Sequence, residues 1–364
     1  MKSYMPRFLP IDDLDWISFI PLIGEANAAV ARYDGLLQSM VNPGVLLSPL
    51  TTQEAVLSSR IEGTQASLRD VLVYEAEPTV TDDKDYNDIQ EIINYRNAMA
   101  FAVETLQRRP ISLNLIKRIH AILLDSVRGR HKMRGMFRDR QNYIGAPGGI
   151  QHATYIPPEP QHLQSLLENF EQYMHSREKD KLVQIALLHA QFELIHPFLD
   201  GNGRVGRILI PLLMYDKKML SSPMFYLSAY LEAHRRDYYF QLQQISNTNS
   251  YNEWVHFFLN AVRIQAYDNI RKAQAIRELY EQTKTVLVSK LRSKYNIQVL
   301  DALFERPIFT SSRFLASTKA SRRSVLRILQ ILEEEQVIHS ARKGSGRRPT
   351  VYIFEPLLRI TEDI

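Results

Sequence analysis

The stretch that decides the fold is His196-Pro-Phe-Leu-Asp-Gly-Asn-Gly-Arg-Val-Gly-Arg207. Before it, residues 181–195 repeat apolar side chains at helical spacing, and after it residues 205–214 have the pattern of a second buried helix. The stretch is therefore predicted to be a loop that runs into a helix N-terminus. Such a terminus presents unpaired backbone N–H groups and the positive end of a helix dipole, and it can bind an anion.

The side chains of this loop suit a phosphate ligand. Gly201 and Gly203 let the backbone approach a phosphate closely. Arg204 and Arg207 supply guanidinium groups that can bind phosphate oxygens in bidentate fashion. These four residues predict an anion site at the start of the second helix.

Two further residues of the loop predict a reaction at this site. Asp200 can hold a hard cation through its carboxylate oxygens. His196, just outside the glycines, is a candidate general base. Together with the anion site, they indicate phosphoryl or nucleotidyl transfer.

The glycine-rich loop does not match three common ligand-binding loops. A calcium loop counted from Asp200 would need an oxygen ligand at its fifth position and Glu at its twelfth, where the chain has Arg204 and Pro211. The loop lacks the Gly-Lys-[Ser/Thr] ending of a P-loop, and no strand pattern precedes it, as a dinucleotide-binding fingerprint would require. A purely structural turn would account for the glycines but not for the His, the Asp and two Arg together.

The pattern His-Pro-Phe-x-Asp-Gly-Asn-Gly-Arg-x-x-Arg resembles the signature of the Fic family of protein adenylyltransferases, and it matches at every fixed position. The resemblance implies transfer of AMP from ATP to a Ser, Thr or Tyr hydroxyl of target proteins and of the enzyme itself. By position, His196 would deprotonate the target hydroxyl, Asp200 would hold Mg²⁺ and Phe198 would anchor the loop in the core. The residues implied in nucleotide binding are Gly201, Asn202, Gly203, Arg204, Val205, Gly206 and Arg207.

Composition indicates an ordinary globular protein with room for two or three domains. The chain has 364 residues, 45% of them hydrophobic, and 45 Lys and Arg against 40 Asp and Glu. It has no cysteine, which excludes disulfides, thiolate metal sites and cysteine nucleophiles. No apolar run reaches about 18 residues and the first residues have no signal-peptide core, so we expect a cytoplasmic protein with no membrane partner.

Residues 51–63 are predicted to form a short helix that Thr51 or Thr52 caps and Gly63 ends. Ser58 and Glu62 lie four residues apart and share one face of it. Such a pair is usually solvated surface. Beside a Fic core, however, Ser58-x-x-x-Glu62-Gly63 resembles the family's inhibitory motif [Ser/Thr]-x-x-x-Glu-[Gly/Asn], and the resemblance implies that Glu62 inhibits the enzyme.

The rest of the chain is predicted to be mainly helical. Helices are expected at residues 22–40, from Ile89 to Leu106, at 111–124 with Ser112 as cap, and at 225–246, with an acidic loop at 75–88. The basic run from Arg128 to Arg140 is more typical of a solvated face than of a site. We expect an N-terminal helical region at 1–95, a Fic core at 96–265, a connecting helix at 266–294 and a last domain at 295–364.

Residues 141–158 contain two short strand-like runs around a Gly/Pro turn and are predicted to form a β-hairpin. It resembles the flap that lies over the active site in the Fic family and aligns the target by strand pairing. The flap residues predicted to position the target are Tyr143, Ile144, Gly145, Thr154, Tyr155 and Ile156. Beyond the motif, family resemblance places one residue of the aromatic helix near the adenine; Tyr239 is our choice, although such tyrosines are more often core.

The last segment resembles a winged helix-turn-helix. Three short helices are expected at residues 299–303, 312–317 and 321–335, followed by strand-like runs at 337–339 and 351–354 around a Gly-Ser-Gly turn. A basic face suited to phosphates is predicted from Lys319, Arg322, Arg323, Arg327, Arg342, Lys343, Arg347 and Arg348. DNA binding, protein docking and a structural role all stay open for this domain.

Three functions follow as hypotheses. The first is an ATP- and Mg²⁺-dependent protein adenylyltransferase, because the motif combines base, metal ligand and phosphate-binding groups. The second is a DNA-binding transcriptional regulator with a nucleotide-sensing pocket, and the third is removal of AMP by the same site. Expected partners are ATP, target proteins and the enzyme itself, with DNA and a second copy of the chain in a homodimer as further candidates.

Overall fold

The structure is a computed structural model that describes residues 2–78, 83–125, 132–145, 152–290, 295–318, 321–345 and 348–363. It is mainly helical, as predicted. The helices are α1 Trp16–Ser39, α2 Pro43–Leu46, α3 Ser48–Ile61, α4 Leu68–Ala76, α5 Asp83–Leu106, α6 Leu113–Leu123, α7 Leu163–His175, α8 Lys181–Ile195, α9 Asn202–Asp216, α10 Ser228–Ala233, α11 Arg235–Thr248, α12 Asn252–Lys290, α13 Asn296–Glu305, α14 Ser311–Thr318, α15 Arg322–Glu334 and α16 Glu355–Glu362. The strands are β1 Ile144–Gly145, β2 Ala153–Tyr155, β3 Ile308–Thr310, β4 His339–Arg342 and β5 Val351–Ile353.

Helices α1 and α12 pack against each other and form one side of the core. Ala26 and Ala29 on the buried face of α1 are small and allow close approach of the two helices. The prediction started this helix six residues late. Asp15 caps it, accepting a hydrogen bond from the Ser18 N–H at 3.2 Å, and Pro21 lies inside it rather than before it. Pro21 is the sixth residue of the helix, past the first turn, so the hydrogen bond that an N–H there would donate to the Ile17 carbonyl is missing.

Helix α3 carries Ser58 and ends just before Glu62 and Gly63, and its start differs from the prediction. It begins at Ser48, with Pro49 in the first turn, where a proline is favoured. Thr51 and Thr52 are therefore inside the helix, and the predicted cap is wrong. Their hydroxyls donate to backbone carbonyls four residues earlier.

The end of α3 is where the sequence predicts it. Gly63 has φ +104°, a left-handed conformation that favours glycine. The Gly63 N–H donates to the Arg60 carbonyl at 2.9 Å, and the Thr64 N–H donates to the Ser59 carbonyl at 3.2 Å. This pair of bonds is a Schellman motif, which fixes the direction in which the chain leaves the helix next to Glu62.

Few positions of α3 are apolar, yet the helix is buried on nearly all sides. Its buried polar residues are Thr52, Gln53, Glu54, Ser58 and Ser59. Glu54 accepts hydrogen bonds from the N–H and the hydroxyl of Ser228 at 3.0 and 2.6 Å. Burial raises the pKa of Glu54 to about 7, with the opposing effects of these bonds smaller. Helix α3 is thus part of the core and not a surface addition.

The predicted acidic loop at 75–88 is mostly helix. Helix α4, which the sequence analysis did not predict, ends at Ala76, and α5 begins at Asp83, with residues 79–82 outside the described part of the chain. Ser67 starts α4 through a capping box with Asp70. The cap of the next helix was predicted correctly, because the Ser112 hydroxyl accepts a hydrogen bond from the Leu115 N–H at 3.3 Å.

The helix pair α8 and α9 flanks the motif. Asp180 caps α8 by accepting from the N–H groups of Leu182 and Val183, at 2.8 and 3.0 Å. Almost every residue of both helices is buried, so their apolar character extends around the whole helix. The motif loop is therefore held between two central helices of the core.

The region after the motif was predicted less accurately. The expected single helix at 225–246 is divided into α10 and α11, with a break at His234. The end of the core and the connecting helix were predicted as separate segments, but α12 runs through both without interruption for 39 residues. It crosses the expected domain boundary at residue 265.

Residues 295–363 form a compact group that we call the C-terminal unit. Its elements follow in the order α13, β3, α14, α15, β4, β5 and α16, and its three strands form an antiparallel sheet in the order β3-β5-β4. The three predicted helices are present: α13 and α14 are longer than predicted, and α15 is one residue shorter at each end. The strand expected at 337–339 starts at His339, and β3 and α16 were not predicted. Lys319 and Arg347 of the predicted basic face lie outside the described residues.

Helix α4 packs on the C-terminal unit and follows α3 in the chain after residues 62–67. Its side chains Leu68, Leu72 and Ala76 form a small apolar cluster with Ile308 and Leu358 of that unit. The helix that follows Glu62 in the chain is therefore packed on the C-terminal sheet. Among the helices of the described residues, none is long and apolar enough to cross a membrane.

Candidate active site

The motif loop is held in shape by its own backbone and by Asn202. His196 ends α8 with φ +49°, and Gly201 precedes α9 with φ +75°. The Asn202 side chain accepts from the Phe198 N–H and donates to the Phe198 carbonyl, both at 2.8 Å. Because this amide is committed to the loop, the Asn202 side chain is not available to a ligand at the start of α9. Phe198 is fully buried, as predicted for an anchor.

Arg138 stabilises the same loop through hydrogen bonds to backbone carbonyls. Its guanidinium donates to the carbonyls of His196, Ile195 and Pro158, at 2.9, 3.3 and 2.5 Å. The side chain is buried, and burial lowers its pKa to about 10. Arg138 belongs to the basic run that we expected on a solvated face, and for this residue that expectation is wrong. Residues 126–131 at the start of the run lie outside the described chain.

His120 is a second support that the sequence analysis missed. Its ring stacks on Phe198, with 3.7 Å between the ring centroids. Its Nδ1 accepts a hydrogen bond from the Gly135 N–H at 2.9 Å, so its Nε2 carries the proton and donates to the Asp200 carbonyl at 3.0 Å. Burial lowers its pKa to about 4, and the ring stays neutral.

His196 faces a cavity of 590 Å³. Its Nδ1 lies 3.3 Å from the carbonyl oxygen of Glu193. Because a carbonyl can only accept, Nδ1 carries the proton, and Nε2 is left with its lone pair. Burial lowers the pKa of His196 to about 4, so that the imidazole is neutral near pH 7. The ring is thus in the form that a general base requires.

Asp200 is the most solvent-accessible charged group of the motif. Its side chain keeps 43% of its exposure and lies 3.7 Å from Arg204. One carboxylate oxygen accepts the Gly201 N–H at 2.6 Å, which fixes the carboxylate beside the start of α9. Its exposure leaves carboxylate oxygen available to a hard cation such as Mg²⁺, which typically takes one or two carboxylates and completes its shell with phosphate oxygens and water.

The two motif arginines have different partners. Arg204 is buried and pairs with Glu91 of α5 at 3.0 Å. Arg207 pairs with Glu62 at 2.6 Å, and it also donates to the hydroxyl and the carbonyl of Ser58, both at 2.9 Å. Two of the three predicted inhibitory residues, Ser58 and Glu62, therefore contact the outer motif arginine.

The Glu62 carboxylate occupies the space over the start of α9. A Cβ placed on Gly203 would meet one of its oxygens. Burial acts to raise the pKa of Glu62, but the charge and hydrogen bond of Arg207, together with the charge of Arg204, lower it below its usual value. Its side chain is 35% exposed and that of Arg207 is 1% exposed. The carboxylate is thus ionised, and it covers the arginine and the glycine backbone on their solvent side.

Glu193 is a third carboxyl group at the cavity, which the sequence analysis missed. It packs against Gly206, and a Cβ there would meet its Oε1, so a larger residue would require the Glu193 side chain to shift. Within the described residues its Oε1 is buried and has no hydrogen-bond partner. Burial raises the pKa of Glu193 to about 8; Arg207 opposes the rise and Glu62 adds to it. A neutral carboxyl therefore faces the cavity beside a charged one.

The flap crosses the mouth of the cavity. β1 and β2 pair in antiparallel fashion, as predicted, and the turn at 146–151 lies outside the described residues. Tyr143 and Ile144 are exposed, at 42% and 39%. Gly145 has φ +141°, and a Cβ there would lie 2.6 Å from the Thr154 nitrogen, so the hairpin requires glycine at this point.

Two predicted flap residues anchor the hairpin instead of presenting it. The Tyr155 hydroxyl donates to the Leu194 carbonyl at 2.6 Å. Ile156 is buried, and its carbonyl accepts from the Tyr4 N–H at 2.9 Å. This leaves Tyr143 and Ile144 as the exposed apolar side chains of the flap, whereas Tyr155 and Ile156 attach it to the core.

The cavity brings most of the predicted residues together. Those that line it are Glu62, Tyr143, Ile144, Gly145, Thr154, Tyr155, His196, Gly203, Arg207 and Tyr239. Val205 is instead fully buried in the core. Tyr239 is 40% exposed, and its hydroxyl donates to the Ile61 carbonyl at 3.5 Å. Its ring therefore lies between the cavity and the end of α3.

The family comparisons agree with this arrangement. Residues 20–104 match the family described as Fic/DOC family N-terminal, and residues 110–214 match the Fic/DOC family. Together these matches cover more than half of the chain. The chain belongs to the Fic/DOC family, and its site is built on the motif of that family.

Sequence identity to the individual relatives is low. The chain is 27% identical over 204 residues to the protein adenylyltransferase Fic of Drosophila grimshawi; the match covers 54% of this chain but only 38% of that protein. A Fic family protein from Desulfovibrio desulfuricans has the same fold at 20% identity, with a TM-score of 0.57 and coverage of 96% of this chain and 98% of that one. Fic-1 from C. elegans matches at 20% identity and a TM-score of 0.54, covering 71% and 74%.

Proposed function

We propose that the protein is an adenylyltransferase that transfers AMP from ATP to hydroxyl side chains of target proteins and of itself. The observation that carries this proposal is the position of a neutral His196, with Nε2 unprotonated, at a cavity bounded by the start of α9 and by Arg207. The name of the Drosophila relatives, protein adenylyltransferase Fic, supports it.

The reaction follows from these groups. The target hydroxyl oxygen attacks the α-phosphorus of ATP while His196 Nε2 takes the hydroxyl proton. The bond between the α-phosphorus and the oxygen that bridges to the β-phosphate breaks, and pyrophosphate leaves. One phosphodiester bond between AMP and the target forms, and one phosphoanhydride bond of ATP is broken. The first-turn N–H groups of α9 and the side chain of Arg207 bind the phosphates and stabilise the charge that develops on them.

Mg²⁺ fits the residues at the start of α9. Asp200 supplies an exposed carboxylate beside the backbone that would hold the phosphates. When bound, the ion would neutralise phosphate charge and assist departure of pyrophosphate. Arg204, tied to Glu91, is positioned by α5 on the same side as Asp200.

The flap is proposed to align the target. Tyr143 and Ile144, at the start of the two-residue strand β1, expose their side chains. An extended target segment could therefore pair with the flap backbone and place its hydroxyl near His196. Tyr239 is proposed to contact the adenine from the other side of the cavity.

Glu62 is proposed to inhibit the enzyme. Its carboxylate occupies the space over Gly203 and pairs with Arg207, two groups that the outer phosphates of ATP need. One guanidinium cannot serve a carboxylate and a phosphate well at the same time. ATP is therefore excluded or bound with its α-phosphate out of line for attack.

The function is tested by incubating the purified protein with ATP labelled at the α- or the γ-phosphate, in the presence of Mg²⁺. In the Glu62→Gly variant we expect α-label on the protein and no γ-label, because AMP is transferred and pyrophosphate leaves. His196→Ala in the same background should lose about 10² to 10⁴-fold of the rate and keep ATP binding. Transfer of γ-label, or equal α-labelling by the His196→Ala variant, would contradict the proposal.

For the C-terminal unit we propose a winged helix-turn-helix fold. The element order α13-β3-α14-α15-β4-β5 and the strand order β3-β5-β4 support it. A chain that acts only as a DNA-binding regulator with a nucleotide sensor would not need a neutral His196 at the cavity, and a pure sensor would bind ATP without labelling itself. Removal of AMP by the same site remains a second candidate activity, which the same labelled protein would report as loss of α-label.

A further inference from the structure

Helix α15 has basic residues in its first half and acidic residues at its end. Its first half carries Arg322, Arg323 and Arg327 on the exposed side, and Glu333 to Glu335 follow at its other end. The opposite side, with Val325, Ile328, Leu329 and Leu332, is buried in the C-terminal unit. The helix thus presents a basic N-terminal half outward, with Leu326 exposed at 46% among the arginines.

The three arginines have no carboxylate partner among the described residues, whereas other arginines of this unit do. Arg342 pairs with Glu77 at 2.5 Å, and Arg359 with Glu355 at 3.6 Å. Unpaired guanidinium groups on one half-helix repel each other unless an anion neutralises them. This pattern points to an anionic ligand and not to internal ion pairs.

A second surface lies beside this half-helix. The start of α14, the first turns of α15, Gly344 and residues 348–350 line a groove of 510 Å³. Its polar lining includes Ser311, Ser312, Arg322 and Arg348. Hydroxyls and guanidiniums are the side chains that contact backbone phosphates most often. Together, α15 and this groove contain part of the basic face that the sequence predicts.

We propose that the basic face binds duplex DNA, with the N-terminal half of α15 in the major groove. A helix about 10–12 Å wide with its side chains fits a B-form major groove about 12 Å wide. Arg348 would then lie along the adjacent backbone, and the three glutamates at the far end of α15 would point away from the phosphates. Double-stranded RNA is excluded because its major groove is too narrow for a helix.

The test measures fluorescence anisotropy of the full chain with a mixed-sequence DNA duplex of about 25 base pairs, over a range of salt concentrations. We expect binding in the 10⁻⁴ to 10⁻⁶ M range at physiological salt, weakening steeply as salt rises. The double variant Arg323→Glu/Arg327→Glu should bind at least about 10-fold more weakly, since each arginine contacts the nucleic acid.

The control is Arg108→Glu/Arg109→Glu, which changes the net charge equally at exposed residues after α5. It should bind DNA as the unchanged protein does. Circular dichroism of both variants checks folding. Equal loss in both variants, or equal binding of an RNA duplex or of polyglutamate, would overturn the proposal. The measurement needs no ATP, so its outcome does not depend on the adenylyltransferase proposal.

A separate set of contacts carries a second inference. Arg69 of α4 binds two carboxylates of α16 at once: Glu355 at 2.8 and 3.1 Å, and Glu362 at 2.9 to 3.1 Å. Such multidentate arginine pairs hold their partners in a defined geometry. The apolar cluster of Leu68 and Leu72 with Leu358 lies beside them. Six residues back along the chain from Leu68 is Glu62.

We infer that the C-terminal unit holds the inhibitory segment in place through Arg69, which makes Arg69 a positioning residue for the inhibition proposed above. Loss of this contact should loosen residues 62–67 and let Glu62 leave Arg207 more often. Arg69→Ala should therefore raise self-labelling several-fold, but should add nothing in a Glu62→Gly background. Arg109→Ala, at an exposed residue after α5 that contacts neither carboxylate, is the control and should change neither.

Hydrogen exchange of the backbone at residues 62–67 gives a readout that does not depend on activity. It should be faster in Arg69→Ala than in Arg109→Ala. If Glu62→Gly is itself inactive, the adenylyltransferase proposal fails while the exchange result still stands. Unchanged exchange in Arg69→Ala, or an equal rise of labelling on top of Glu62→Gly, would overturn the inference.

Discussion

The guanidinium of Arg207 lies 2.6 Å from the carboxylate of Glu62, a residue 145 positions earlier in the chain. The arginine is buried and the glutamate is partly open to solvent. The pair is therefore closed on the protein side and accessible on the cavity side. An incoming nucleotide meets the carboxylate first.

A graded series at Glu62 follows from this pair. Glutamine keeps the shape and one oxygen acceptor but loses the charge, and hydrogen bonds to ionised groups are roughly twice as strong as neutral ones. Glu62→Gln should therefore give a self-labelling rate between those of the unchanged protein and Glu62→Gly. If the closed state holds about 99% of molecules, Glu62→Gly should label up to about 100-fold faster. Rates of the three proteins at equal folded concentration check this, and equal rates would remove the inhibitory role.

The pH dependence of the rate should reflect the low pKa of His196. Because burial lowers this pKa to about 4, the neutral base is present at all pH values well above 4. Loss of the nearby Glu62 charge, which raises the pKa, lowers it further in Glu62→Gly. The kcat of that variant at saturating ATP should thus show no loss from protonation of His196 between pH 8 and about 5.5. A fall with an apparent pKa near that of free histidine would contradict the assignment.

Asp200 should control the metal requirement. Asp200→Asn keeps the hydrogen bond to the Gly201 N–H through its side-chain oxygen, but it removes the charge that holds a hard cation. In the Glu62→Gly background the Mg²⁺ concentration for half-maximal labelling should rise by at least about 10-fold, or roughly 1.4 kcal/mol. A metal titration of labelling checks this. Identical titration curves for the two proteins would argue against a metal role for Asp200.

Glu193 should make the folded state less stable at high pH. Its folded pKa of about 8 lies above that of an unfolded carboxyl, so its contribution is present in full below the unfolded pKa and is lost as pH rises to about 8. Glu54, with a pKa of about 7, adds in the same direction. The Tm should fall from pH 5 to pH 8, and Glu193→Gln should fall less. A parallel decline in both proteins would mean that Glu193 is ionised in the folded state.

The motif, its two flanking helices, the flap and the end of α3 could be predicted from sequence, because each depends on local spacing and on glycine. The supports of the loop could not. His120 and Arg138 are remote in sequence, and only the packing of α6 and residues 132–145 against Phe198 and the end of α8 shows their roles. The role of Glu193 could not be predicted either. Its position on α8 has no distinctive sequence pattern, and its contact with Gly206 of α9 is seen only in the structure.

Helix α3 illustrates the same point from the other side. Its polar sequence suggested a helix with a solvated face, yet the core surrounds it and pairs its polar groups with Ser228 and Arg207. Side-chain partners from distant helices replaced water, and a single sequence does not contain those pairings. The predicted cap at Thr51 or Thr52 was wrong for a simpler reason, since Pro49 allowed an earlier start.

The apolar contact of Leu68 and Leu72 with Ile308 and Leu358 has a consequence for how the chain is made. A ribosome produces the motif and Glu62 well before the residues that cover α4. During synthesis, the outer side of α4 is therefore bare while the motif already exists. A nascent or truncated chain that ends before Asn296 contains the complete motif but lacks the C-terminal residues that pack on α4. During synthesis, α4 is therefore covered only after the motif has been made.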